Sequence, residues 1–430
     1  MKIKSVKAFE ILDSRGNPTV KTLVELEDGA VGITAVPSGA STGVHEAKEL
    51  RDEDKSRYNG LGVLKAVENV NSEIAGKIIG MEAGDQEKLD QALIELDGTD
   101  EKARLGANAI LSVSVATARA QASSEGKEVF EYLTRFNPEF SGEYFMPIPE
   151  MNILNGAKHA GWTTDIQEYM IFPINFKTIK DAVRVNVEVY HALKKIISEK
   201  GFSTNVGDEG GFAPSVSSNA EPFDLITEAV ERAGHKLGED IYLGVDVASS
   251  EFFENSKYKL RKEDKEINSD ELKDFYKNLI DKYPIISIED PFSEDDWEAY
   301  KKFTSEFGEK IQIVGDDLFV TNTKRLKRGI EEKSTNSILI KLNQIGTLTE
   351  TIQALNLARE NGMSAIVSHR SGETEDSFIA DLAVAMGTGQ IKSGAPARSD
   401  RVAKYNRLLI IEEMLGEKAK YSKFPFQRNS

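Results

Sequence analysis

Four short apolar runs in the second half of the chain each end on a charged residue. Leu243-Gly244-Val245 ends on Asp246, Ile285-Ile286-Ser287-Ile288 on Glu289, Ile313-Val314-Gly315 on Asp316, and Ser337-Ile338-Leu339-Ile340 on Lys341. Each step along this series has the length of one strand–helix unit. Polar residues at strand C-termini of a βα barrel point into the mouth where barrel active sites lie. Three carboxylates converging there repel one another unless a cation stands between them. Oxygen ligands without His or Cys suit a hard ion, Mg²⁺ above all when the substrate carries phosphate. Burial and nearby cations lower a lysine pKa, which fits Lys341 as a general base; the competing reading is a lysine that snorkels its ammonium to the strand end. Asp316, followed by Asp317, also reads as the N-cap of a helix.

Further candidates lie on neighbouring units. Ser368-His369-Arg370-Ser371-Gly372-Glu373 follows a strand, and its guanidinium, hydroxyls and amides suit a phosphate. Lys392 stands just past Ile391. Gly207-Asp208-Glu209-Gly210-Gly211 holds Glu209 between glycines, either as a projecting acid or as an exposed acidic turn. His159 lies in a glycine-bearing loop, and Gln167 and Glu168 interrupt the apolar run from Ile166 to Met170.

The elements needed to position these residues are legible as period and punctuation. Strand-like runs at Ile241–Asp246, Ile285–Glu289, Ile311–Asp316, Ser337–Lys341, Ser364–Ser368 and Gln390–Lys392 alternate with helical patterns, among them Ser269–Tyr283, Thr347–Asn361 and Asp376–Met386. Such alternation predicts a parallel sheet closed into a βα barrel. Met146–Asn155 and Asp165–Asn175 are two strand-like runs with only a loop between them, an irregular start for a barrel. Before it, Ile3–Leu12, Val20–Leu26 and Ala30–Ala35 form a predicted antiparallel meander with a hairpin at Asp28-Gly29. Val63, Val67, Val70, Ile74 and Ile78 share a helix face, and Leu89, Leu93 and Leu96 share another between an Asp85 cap and a Gly98 stop. Pro37–Gly43 is a small, hydroxyl-rich loop, a lid or a plain connection. Asn137–Gly142 marks the expected boundary, giving domains 1–137 and 138–430.

Composition narrows the function class. The 430 residues include no cysteine, which excludes disulfide and thiolate chemistry, and the net charge of −17 argues against a general nucleic-acid binder. The start Met1–Lys7 has no apolar signal core, and no stretch is long and apolar enough to span a membrane, so a cytoplasmic location is expected.

Taken together, Asp13-Ser14-Arg15-Gly16-Asn17-Pro18-Thr19, Ser38-Gly39-Ala40-Ser41-Thr42-Gly43, Gly207–Gly211, Asp246–Phe252, Ile288-Glu289-Asp290-Pro291, Gly315-Asp316-Asp317-Leu318, Ile340–Gly346 and Ser368–Glu373 closely resemble the enolase family from end to end. The resemblance implies an N-terminal α+β capping domain on an eight-stranded α/β barrel that begins ββαα. It implies Mg²⁺-dependent dehydration of 2-phospho-D-glycerate to phosphoenolpyruvate in glycolysis, and the reverse in gluconeogenesis. Superfamily members are known to pair a Lys or His base with Mg²⁺ that stabilises an enediolate. By resemblance, Lys341 would take the proton α to the carboxylate and Glu209 would protonate the departing hydroxyl, with Glu168 and His159 beside it. Asp246, Glu289 and Asp316 would hold one Mg²⁺; a second would arrive with substrate and draw in Ser41. Gln167, Ser368, His369, Arg370, Ser371 and Lys392 would bind substrate.

Two stretches depart from the family pattern. Ala157 stands where a second glycine is common after Gly156, and Gly161-Trp162-Thr163-Thr164 is unusual, so closure of the loop near His159 is where this chain is expected to differ. Family membership also implies a homo-oligomer, a dimer or an octamer of dimers, and allows a cell-surface location without a signal peptide. The alternatives are a sister lyase acting on another carboxylate, or a protein with an added surface-binding role.

Overall fold

The structure is a computed structural model that describes residues 1–40 and 42–426; the expectation for Ser41 lies outside the described residues. The N-terminal meander forms as its alternation predicts. Ile3–Leu12 pairs antiparallel with Pro18–Leu26, which pairs antiparallel with Val31–Ala35. Its inner face rests on the helix Ala107–Ser124, whose Ala and Ser side chains let the backbones approach closely. Gly32 shows how closely: a Cβ there would lie 2.0 Å from the Ala116 carbonyl oxygen. Gln86–Asp97 is capped by the Asp85 side chain and ends on Gly98 at φ 72°. The stripe from Val63 to Ile78 is one helical run interrupted by a π-type turn at Val70–Ile74.

Eight strands close the barrel: Ile148–Asn155, Glu168–Pro173, Ile241–Asp246, Ile285–Glu289, Gln312–Gly315, Ser337–Ile340, Ser364–Ser368 and Gln390–Lys392. The fold is thus an α/β barrel with a separate strand-rich N-terminal cap, as expected. The irregular start has a structural consequence. Glu168–Pro173 runs antiparallel to both neighbours, so its first residue lies at the rim where the other strands end. Register places Glu168 beside Asp246, and Asp246 beside Glu289.

Two local expectations are corrected. Asp316 caps no helix: the next one, Thr323–Glu332, is capped by Asn322, which leaves the Asp316 carboxylate to the mouth. Lys341 lies one residue past its strand, where the chain turns into the short helix Leu342–Ile345. The Pro37–Gly43 stretch is pinned at its start, since Ser38 and Gly372 exchange backbone hydrogen bonds of 2.7 and 2.8 Å. Ala40 N also donates to Ser371 Oγ at 2.8 Å.

Candidate active site

The strand ends surround a small polar cavity, lined among others by Glu168, Glu209, Asp246, Asp316, Lys341 and Lys392. On one wall Lys341 Nζ donates to Asp316 Oδ2, whose other oxygen accepts from Gln344 Nε2 at 2.8 Å. Burial disfavours charge on Lys341, but Asp316 and Glu289 outweigh it and its pKa is raised. The sequence reading had this lysine lowered by nearby cations; with a carboxylate as its partner the balance runs the other way.

Lys392 forms the floor. Its Nζ lies 3.0 Å from Glu168 Oε2, 3.1 Å from Asp246 Oδ2 and 2.9 Å from Glu289 Oε2. One ammonium therefore serves three carboxylates. Burial, then repulsion from Asp246, raises Glu289 well above the usual carboxylate range. Burial and repulsion from Glu209 do the same to Glu168.

Diametrically opposite the Lys341 strand in the ring lies the Glu168 strand. His159 Nδ1 stands 3.9 Å from Glu168 Oε1 and 3.8 Å from Glu209 Oε1. The Gly207–Gly211 turn closes on itself with Gly207 N donating to Gly211 O at 2.8 Å, and Glu209 projects inward from it, buried. Glu209 is pulled the opposite way from Glu168: burial raises it, but His369, His159 and Arg401 leave it well below the ordinary value. Between these two carboxyls a proton is thus favoured on Glu168 over Glu209. Burial pushes the His369 imidazole down to about 3, so it is neutral. Arg401 can only donate, and it donates to His369 Nδ1; the ring hydrogen is therefore on Nε2, which faces Glu209 Oε2 at 3.5 Å.

The remaining expected residues also line the cavity. Gln167 is buried, and its Oε1 has no hydrogen-bond partner among the described residues. Ser368, Arg370 and Ser371 close the side next to Lys341. Glu289 does not itself line the cavity and joins the group through its ion pair with Lys392 at 2.9 Å.

Several participants escaped the sequence reading. Asn152 Nδ2 donates to Glu209 Oε2 at 2.9 Å; its signal was a polar residue inside the apolar run from Ile148 to Leu154. Asp290 accepts from the amides of Asp316 and Asp317 at 2.9 and 2.8 Å and so holds that corner. Glu46 and Arg401 had no local signal, because each acts across a long sequence separation.

Acidic groups in the mouth can hold a metal. Asp290, Asp316 and Asp317 bring ligand atoms within 4.8 Å of one another, as do His159, Glu168 and Glu209. For the expected trio Asp246, Glu289 and Asp316, the fit rests on charge and on an orphaned atom. Glu289 Oε1 is buried without a hydrogen-bond partner among the described residues, and the ammoniums of Lys341 and Lys392 touch the trio's three carboxylates. A cation satisfies both conditions.

The loop before this wall carries the two departures. Ala157 adopts φ 39° and Trp162 φ 63°, with Trp162 N donating to Ala157 O at 2.7 Å. Gly156 is obligatory, since a Cβ would lie 1.6 Å from Thr164 Oγ1. The Arg261 guanidinium stacks on the Trp162 ring at 3.9 Å. Among the described residues, no helix is long and apolar enough to cross a membrane.

Residues 143–430 match the family model described as "Enolase, C-terminal TIM barrel domain", and residues 3–133 match "Enolase, N-terminal domain". With the barrel, its antiparallel second strand and the opposed lysine and glutamate walls already in view, these two matches make the chain a member of the enolase family and an enolase-type lyase.

Proposed function

We propose that this chain catalyses the reversible dehydration of 2-phospho-D-glycerate to phosphoenolpyruvate and water, with Mg²⁺ as cofactor, in glycolysis and gluconeogenesis. The observation that carries the reading is the opposition of Lys341 to the Glu168–His159–Glu209 group across one small polar cavity. Elimination of water needs a base at one carbon and an acid at the oxygen leaving the next, and this arrangement supplies them on facing walls.

In this reading Lys341 removes the proton α to the substrate carboxylate. Asp246, Glu289 and Asp316 would hold the metal, which supplies positive charge where the substrate fragment becomes more negative. Lys392 adds charge of the same sign from the floor. Asp316 is both the partner that keeps Lys341 protonated and a proposed ligand, so engaging its carboxylate elsewhere favours the neutral amine that a base requires. The hydroxyl leaves with a proton from the opposite group. Glu168 and His159 stand beside Glu209 on that wall, and a proton held on the raised Glu168 carboxyl reaches the departing oxygen through Glu209. Arg370, Ser371, Ser368 and Gln167 fix the anionic ends of the substrate, while neutral His369 offers its Nε2 hydrogen toward Glu209. The division into a capping domain 1–137 and a barrel domain 138–430, a cytoplasmic location, homo-oligomerisation and the entry of Ser41 toward a second Mg²⁺ belong to the same reading.

The test is direct. Purified protein is given 2-phosphoglycerate with Mg²⁺, and the ultraviolet absorbance of the enol product is followed. A rise abolished by chelator and restored by Mg²⁺ is expected; no rise, or one indifferent to chelator, overturns the assignment.

A further inference from the structure

Beneath the mouth lies a buried carboxyl that the reaction above leaves unused. Glu150 sits in the barrel strand Ile148–Asn155, every residue of which is buried. Its place in the barrel follows from its neighbours. Gln390 Nε2 donates to Glu150 Oε1 at 2.7 Å, and the Gln390 amide pairs with that of Gln312. Gln312 Nε2 in turn donates to Ser337 Oγ at 3.0 Å and Ser364 Oγ at 2.9 Å. This layer crosses the barrel through amides and hydroxyls, and Glu150 is its one ionisable member. Two residues further along the same strand, Asn152 reaches Glu209 in the mouth, so Glu150 lies one layer below the reacting groups. Register sets it directly beside Lys392.

The surroundings disfavour a negative charge. The three short contacts of Lys392 Nζ go to Glu168, Asp246 and Glu289. An ammonium has three protons, so none remains for Glu150. The adjoining Glu168–Pro173 strand contributes Met170 and Phe172, which share an apolar cluster with Ile148. From the C-terminal helix Ser399–Leu415, Tyr405 senses the Glu150 charge, but its hydroxyl donates to Gly394 O at 2.6 Å. Burial accordingly pushes the Glu150 carboxyl up to about 8, against smaller opposing pulls from Gln390 and Lys392.

We propose that Glu150 is a proton-carrying positioning residue for Lys392: uncharged, it leaves the ammonium to the carboxylates of the mouth, and ionised, it competes for that ammonium from below and depresses turnover. The proposal rests on the role given to Lys392 above, and it adds an alkaline control on the site that the catalytic groups do not require.

The experiment has two arms. In the first, the infrared spectrum of substrate-free protein is followed from neutral pH to above pH ~9, for wild type and Glu150→Gln. A protonated-carboxyl band that is present in the wild-type minus variant difference at neutral pH and vanishes on the alkaline side is expected. Absence of that band at neutral pH overturns the proposal whether or not the protein turns over 2-phosphoglycerate. In the second, kcat is measured against pH. Wild type is expected to lose activity with a midpoint near pH 8, and Glu150→Gln to move that limb upward while leaving the acid limb in place. An alkaline limb at the same pH in both proteins overturns the proposal. Should the glutamine variant fail to fold, Glu150→Met, which suits the apolar neighbours, takes its place in both arms. A failure of the dehydration assay with the infrared result intact would count against the assigned reaction and leave the protonated state of Glu150 standing.

Discussion

Arg370 and Glu46 form a bidentate ion pair buried between the N-terminal part and the barrel, with Nη1 to Oε2 at 2.9 Å and Nη2 to Oε1 at 3.0 Å. The same glutamate accepts from Gly43 N at 3.0 Å, at the end of the hydroxyl-rich loop. One carboxylate therefore ties a proposed substrate-binding guanidinium to the segment that leads toward Ser41.

Glu46→Gln would leave the Arg370 charge buried and only partly answered. Breaking a buried pair from one side costs about 3 kcal/mol or more. We expect a lowered urea midpoint at unchanged m-value, together with a raised KM for 2-phosphoglycerate. An unchanged midpoint would show that the pair contributes nothing net to stability.

The two walls separate the reaction into halves. Glu209→Gln should still exchange the substrate α-proton with solvent but not eliminate, whereas Lys341→Ala should do neither. Each loss should be about 10²-fold or more in kcat. Proton exchange is read by NMR in deuterated water, and normal exchange by Lys341→Ala would remove lysine from the role of base.

Ala157 holds a left-handed conformation that costs an L-residue about 1 kcal/mol. Ala157→Gly should relieve most of this and raise the melting temperature slightly. Arg261→Ala, by removing the guanidinium from the Trp162 face, should loosen the same loop by about 0.5–1 kcal/mol. Limited proteolysis within 157–164 should slow in the first variant and quicken in the second; the reverse order would mean that the loop is not held by these two contacts.

His369 sets a stability slope in acid. Its folded pKa, about 3, lies below the ordinary 6.5, so the unfolded chain takes up a proton that the folded protein refuses. The contribution is fully present above pH 6.5 and is lost as pH falls toward 3, on the order of 5 kcal/mol in all. Glu209, also depressed, adds to the same trend. Denaturant titrations between these limits should show a shallower slope in His369→Gln, and an identical slope would rule out a buried neutral imidazole as its source.

Much of this protein was legible in the sequence because the signals are local. Ile241–Asp246, Ile285–Glu289, Ser364–Ser368 and Gln390–Lys392 begin and end where their apolar runs do. A buried barrel strand must be apolar until it reaches the polar mouth, so the last residue of each run announces itself. Asp85 and Gly98 bracket their helix for an equally local reason, since a cap is satisfied by its own backbone.

The tertiary structure alone decided which partners these residues have and therefore their charge states. Lys341 reads as a lowered lysine from its strand, but it is raised because Asp316, on another strand, meets its ammonium. Glu168 and Glu209 are both buried glutamates, and they diverge because burial and the Glu209 charge raise Glu168 despite Lys392, whereas His369, His159 and Arg401 pull Glu209 down. Asn152, Glu46 and Arg401 enter the site only when segments far apart in the chain, a barrel strand, an N-terminal loop and the C-terminal helix, are brought together. Local pattern determines where a side chain is presented, whereas Coulomb and desolvation energies depend on distances of a few ångströms between segments that only the closed barrel brings together.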